Sequence, residues 1–148
     1  MSLRTAVTKR LGLTYPIIQA PMAGGTTTAD LVAAVCEAGA LGFIGAAYLA
    51  PAQIAEASRE VRARTSRPFG MNLFAPAPAP AIQTIQKDAS RGLERLMPFH
   101  TDMGLPAPAI PAPAADRFNE QLAAILETEA SVFSFTFGVP PPNAIESV

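Results

Sequence analysis

The sequence predicts an α/β fold, a parallel sheet or barrel assembled from strand–helix units. Three observations carry that prediction. Apolar runs of strand length at 16–20, 40–46, 69–74 and 131–138 are separated by stretches of helical periodicity. The second of them, "ALGFIGA", is apolar throughout rather than alternating, as a strand covered on both faces requires. The links within the first half are short and marked by Gly or Pro, which is the sequence form of a parallel α/β architecture.

Each element has a local reason. "PIIQA" (16–20) is a short apolar run between prolines, a candidate buried strand. Thr27 to Asp30 has the Ser/Thr-x-x-Asp/Glu form of a capping box. Behind it, Leu31 and Val35, and Val32 and Cys36, pair at helical spacing. Gly39 stops this helix, because glycine accepts the left-handed C-terminal position. After the second strand, Pro51 suits a first helical turn. Ile54, Ala57, Ser58 and Val61 mark the inner side of that helix. Glu56, Arg59, Glu60 and Arg64 mark the wetter side, with Glu60 and Arg64 spaced to pair. The helix ends before Pro68, since proline disfavours helix in the residue preceding it. "FGMNLF" (69–74) is the third strand.

Residues 75–115 break the rhythm. "APAPAPA" (75–81) and "GLPAPAIPAPA" (104–114) alternate proline and are expected to be extended and solvated. Between them Ile82, Ile85, Ala89, Leu93 and Leu96 form a helical stripe, which a disordered linker does not need. The segment therefore reads as an insertion over the carboxyl end of the third strand, with one amphipathic helix inside it. Helix resumes at 116–127, with Phe118, Leu122 and Ile125 on one face. "SVFSFTFG" (131–138) is the fourth strand, and "VPPPNAIESV" opens a further helix. A closed eight-stranded barrel takes ~250 residues, so four strands are part of one.

Composition removes several function classes. The 148 residues fit one domain, 1–148. A net charge of −1 supplies no basic field for nucleic acid or anionic lipid. No run approaches ~18 apolar residues, and "MSLRTAVTKRLGL" contains no signal-like stretch. The expectation is a cytoplasmic protein with no membrane or nucleic-acid partner. Its single cysteine, Cys36, excludes an intrachain disulfide and a cysteine-rich metal site. It reads as a packing residue, and no metal site is expected.

In parallel α/β folds ligands bind beyond the carboxyl ends of the strands. Three segments reach that edge with something other than packing residues. "APMAGG" (20–25) strips itself of bulk, which lets a backbone approach closely or take positive φ. In "FGMNLF", Phe69, Met71 and Leu73 face one way, and Gly70, Asn72 and Phe74 the other. A buried Asn72 left unpaired costs about 1–3 kcal/mol. Its partner is either neighbouring protein or a ligand with donors and acceptors. In "SFTFG", Ser134 and Thr136 share a face, opposite Phe133, Phe135 and Phe137. The glycines at 39, 42 and 45 do not make G-x-G-x-x-G, and no Lys-Ser/Thr follows to make a phosphate loop.

The blocks "PIIQAPMAGGTTTADLVAAVCEAGALGFIGAAYLAP", "RPFGMNLFAP" and "SVFSFTFGVPPP" resemble the N-terminal part of the nitronate monooxygenase (2-nitropropane dioxygenase) family, in order and over nearly the whole chain. The resemblance implies the N-terminal portion, about four βα units, of a TIM (β/α)8 barrel with a Pro-rich insertion after the third strand. It also implies FMN as cofactor, an alkyl nitronate as substrate and molecular oxygen as oxidant. Carried over residue by residue, it makes Pro21, Met22, Ala23 and Gly24 flavin-contacting and gives Asn72 a hydrogen bond to the flavin. The family's catalytic histidine lies in a Gly-rich segment after a later strand. His100, in the insertion, does not match it and reads as an exposed loop residue, so no catalytic residue is assigned. The expectation is therefore a partial flavin-binding domain without the C-terminal half of its barrel, prone to self-association through exposed strand edges. The alternatives are an inactive truncated remnant, or a related flavin-dependent NADH:quinone or enoyl reductase.

Overall fold

The computed structural model describes residues 3–76, 79–110 and 115–147, without the side chains of 79–88. The chain divides into two compact units, Met1–Ala75 with Arg117–Val148, and Pro76–Asp116. The first contains α1 (Ala6–Leu11), α2 (Ala29–Glu37), β1 (Phe43–Gly45), α3 (Pro51–Arg62) and β2 (Gly70–Phe74). It resumes after the second unit with α5 (Phe118–Leu126), β3 (Val132–Thr136) and α6 (Pro142–Glu146). The second unit is built on one helix, α4 (Ala79–Asp102).

The sheet runs β1-β2-β3, all parallel, with Gly45 opposite Asn72 and Asn72 opposite Ser134. On the free side of β1 the first apolar run adds a single parallel bridge, Ile18 to Leu41. Strand order thus follows chain order without reversal. A doubly wound sheet reverses direction at a switch point; a barrel does not. The fold is the N-terminal portion of a (β/α)8 barrel, four successive units with the proline-rich insertion after the third.

One face of this sheet is closed by α2, α3 and α5. Val32, Cys36, Ile44, Ile54, Val61, Phe69, Met71, Leu73, Leu122 and Ile125 form its core. Phe69, Met71 and Leu73 point into it, as the period of two required, and none is accessible to solvent. Burying each is worth ~1.5–3 kcal/mol. On the opposite face Gly70 makes room for Phe43, since a Cβ there would lie 2.2 Å from the ring. Arg62, at the end of α3, ties the amino ends together. It donates to Arg67 O (2.7 Å), Glu129 O (2.8 Å) and Thr65 O (3.3 Å), over the face of Phe69.

The structure corrects several local expectations. The run 16–20 is not a buried strand: Ile17 and Ile18 are 58% and 56% exposed. Its backbone bonds only to Leu41, and no strand pairs with its other side among the described residues. The cap of α2 is Thr28, which accepts from Leu31 N–H; Thr27, one residue earlier, is buried and used elsewhere. Arg64 does not pair with the Glu60 carboxylate. It pairs with Asp30 of α2 and reaches only the main-chain oxygen of Glu60. A short helix, α1, closed by a Thr5–Thr8 capping box and Gly12, has no counterpart in the sequence reading. Gly39 does end α2 in the left-handed conformation, φ +89°.

In the second unit, helix starts at Ala79, so the end of "APAPAPA" is helical rather than extended. Residues 77 and 78, 111–114, and the side chains of Ile82 and Ile85 in the expected stripe lie outside the described residues. Residues 105–110 have no regular structure, in keeping with their prolines. His100 sits in the last turn of α4 rather than in a loop, with Nδ1 2.6 Å from Pro106 O.

Candidate functional site at the carboxyl edge

Past the Ile18 bridge the chain turns through Pro21–Gly25 and lies against β1. Contact is close because Gly45 lacks a side chain. A Cβ there would lie 2.6 Å from Ala23 N and Met22 C and 2.8 Å from Met22 O. Thr27 locks the approach: its hydroxyl donates to Met22 O (3.1 Å) and accepts from Gly45 N–H (2.9 Å). Gly24 and Gly25 serve a different purpose. Their φ values are +93° and +94°, and a Cβ on either would meet nothing within 4 Å. They are glycine for backbone conformation, and the space beside them is open. Among the described residues no N–H from Met22 to Thr26 makes a hydrogen bond of good geometry within the chain. The bend is held from beneath by protein, and these N–H groups are not spent within the chain.

Next to Gly45 across the ladder is Asn72, 4% exposed. The sequence left its partner open between protein and ligand. The structure supplies protein partners: Nδ2 donates to Ser134 Oγ (2.9 Å) and Thr136 Oγ1 (3.3 Å). The register that sets Asn72 opposite Ser134 makes this possible. Oδ1 accepts nothing among the described residues, and the two hydroxyls, used here as acceptors, keep their protons. The cluster therefore offers one oriented acceptor and two donors.

Beyond the polar cluster stands a row of rings. Phe74, at the end of β2, meets Tyr48 edge-on at 5.5 Å and Phe137 at 4.8 Å. Period-two alternation assigned Phe137 to the face of Phe133 and Phe135. Instead it takes φ +68° just past β3, and its ring turns onto Phe74. The loop carrying Tyr48 is pinned by Gln121 of α5, which is buried and donates to Ala47 O (3.1 Å) and Leu49 O (2.8 Å). The sequence reading passed over Tyr48 and Gln121, and weighed Gly45 only as part of a dinucleotide loop. The glycines in the apolar run 40–46 were the usable signal, since a glycine in a strand marks a close backbone approach.

Other features lie apart from this edge. A groove of about 720 Å³ runs between α3 and α5 in the helix layer. Cys36 is buried on α2, and burial pushes its thiol pKa up, which keeps it protonated and inert. No cluster of metal-ligating side chains occurs among the described residues, and no helix there is long and apolar enough to cross a membrane.

The family model for nitronate monooxygenase matches residues 5–148. The chain belongs to the nitronate monooxygenase family. It is 34% identical, over 143 residues, to a probable nitronate monooxygenase of Staphylococcus haemolyticus, covering 96% of this chain and 39% of that protein. A counterpart from Staphylococcus saprophyticus is 34% identical over 148 residues, all of this chain and 41% of the relative. The chain thus spans about two fifths of the length of these curated relatives. Among solved structures, a nitroalkane oxidase from Streptomyces ansochromogenes matches with TM-score 0.75 and 34% identity, over 97% of this chain and 39% of that one. A FabK mutant from Thermotoga maritima matches with TM-score 0.65 and 25% identity, over 97% and 35%.

Proposed function

We propose that this chain forms the flavin-facing part of an FMN-dependent enzyme that oxidises alkyl nitronates with molecular oxygen. The observation that carries the reading is the contiguity of the open glycine bend with the Asn72 cluster. The bend packs on Gly45, and Gly45 is the ladder neighbour of Asn72. A flavin ring is flat, and its polar edge needs both donors and acceptors. The N–H groups of residues 22–26, unspent within the chain, the hydroxyls of Ser134 and Thr136, and Asn72 Oδ1 are of those kinds. Pro21, Met22, Ala23 and Gly24 would lie along the ring, and Asn72 would bind its polar edge. When bound, FMN would supply the oxidant for the nitronate and the group that reacts with oxygen.

The chain's own residues position and orient. Asn72 is already fixed by two hydroxyls, so its carbonyl is aimed before any ligand arrives. None of Asn72, Ser134 and Thr136 exchanges a proton near neutral pH, so this cluster acts as a binding group and not as a base. A nitronate is already deprotonated at carbon and needs no base at that step. Family membership supports the reading. So does the better match, in identity and TM-score, to the neighbour named for nitroalkane oxidation than to FabK.

The test is an equilibrium titration of FMN into the 148-residue chain by flavin fluorescence, followed by nitronate-dependent oxygen uptake. Saturable binding is expected, weakened about tenfold in Asn72→Ala by loss of one ligand hydrogen bond. Equal affinity in wild type and Asn72→Ala removes the assignment of that residue. No binding by the wild-type chain favours the inactive alternative.

A further inference from the structure

We infer that Tyr48, Phe74 and Phe137 form a rim that holds the alkyl chain of the substrate and sets its preferred length. This deepens the nitronate reading and rests on it. The three rings sit at the carboxyl edge, and Phe74 lies two residues along β2 from Asn72. No member of the row carries a charge. A nitronate lying over a flavin seated at the Asn72 cluster finds the rim beside its hydrocarbon tail.

Two features show that the rim is built rather than left over. Phe137 takes the left-handed conformation, which residues with a Cβ adopt at a cost that persists only when something else requires it. It gains little burial in return, since it stays 75% exposed and its ring contact is Phe74. Tyr48 is 71% exposed, yet the carbonyls on either side of it are pinned by the buried Gln121 amide. The fold therefore pins the backbone under Tyr48 and holds that of Phe137 in a costly conformation.

The sequence provides a probe. It contains two tyrosines, Tyr15 and Tyr48, and no tryptophan. In a Tyr15→Phe background the tyrosine emission reports Tyr48 alone. Titration with the nitronates of nitroethane, nitrobutane and nitrohexane, without FMN, is expected to quench it saturably. The Kd should fall about twofold to fourfold per added methylene, the lower figure for a half-covered chain.

Phe137→Gly is expected to flatten that dependence while leaving the urea midpoint equal or higher, because glycine accepts positive φ freely. Phe137→Leu should retain part of the slope. A structural role for the ring would give the reverse: a lowered midpoint with the slope intact. An unchanged slope in Phe137→Gly, or a lowered midpoint, overturns the proposal. Quenching without saturation also does, since the rim would then be covered by the chain itself or idle. Failure of the flavin reading looks different. If FMN does not bind but the slope holds, the rim stands and the cofactor assignment falls. If FMN binds and no slope appears, the rim alone is wrong.

Discussion

Replacing Gly45 by alanine should dislodge the bend at Pro21–Gly25, and the structure sets the size of the effect. The new Cβ would sit 2.6 Å from two main-chain atoms of Met22 and Ala23 and 2.8 Å from a third. These are backbone atoms, so no side chain can swing away. Either β1 or the bend must shift, and overpacking of this kind costs about 1–3 kcal/mol. The shift also strains the two hydrogen bonds of Thr27, each worth about 0.5–1.5 kcal/mol. The combined loss is about 2–4 kcal/mol, a large part of the 5–15 kcal/mol typical of a folded domain. With a urea slope of ~1–3 kcal/mol/M, the midpoint should fall by about 1–2 M, read by far-ultraviolet circular dichroism. Gly24→Ala provides the contrast. Its Cβ meets nothing, and its cost is confined to φ +93°, about 1–2 kcal/mol. The reasoning is refuted if Gly45→Ala melts with the wild type, or if Gly24→Ala is the more damaging of the two.

Arg62→Lys should lower stability by about 1–3 kcal/mol in chemical denaturation, because a lysine cannot reach the three carbonyls the guanidinium fork now serves. Glu129→Gln should change it by less than ~0.5 kcal/mol, since that carboxylate, 3.0 Å from Arg62 Nε, is largely in solvent. Cys36 should resist thiol reagents until the chain unfolds. Its raised pKa, due first to burial, also fixes the sign of a pH effect. The folded state holds the thiol proton more tightly than the unfolded state. The contribution is therefore complete below the ordinary thiol pKa of about 8.5 and is lost as pH rises through the folded value. Cys36→Val should remove that alkaline decline from the stability profile.

Period and punctuation made the architecture legible. Phe69, Met71 and Leu73 point into the core, and Asn72 points away from it, because a strand alternates at every residue. Gly39 ends α2 because the conformation it adopts is open to glycine and closed to most residues. The site was legible in part. "APMAGG", Asn72 and the Ser134–Thr136 pair were each singled out from the sequence, and the structure brings Asn72 onto both hydroxyls. What periodicity could not register was Phe137, because one positive φ undoes alternation at the end of a strand. The capping box failed by one residue for a related reason. Either threonine could cap α2, and the choice fell to Thr28 because a long-range bond to Gly45 N–H claims the Thr27 hydroxyl.

The sequence by itself determined the order of strands and helices from α2 onward, the faces of β2, and the small-residue character of the bend. These follow from local sterics and from hydrophobic spacing, which act within a few residues. Only the tertiary structure decided what the bend rests on, which hydroxyls hold Asn72, and which aromatic side chains meet above it. Those contacts join Met22 to Gly45, Asn72 to Ser134, and Phe74 to Phe137. They depend on the register in which distant strands pair, and no local pattern specifies that register.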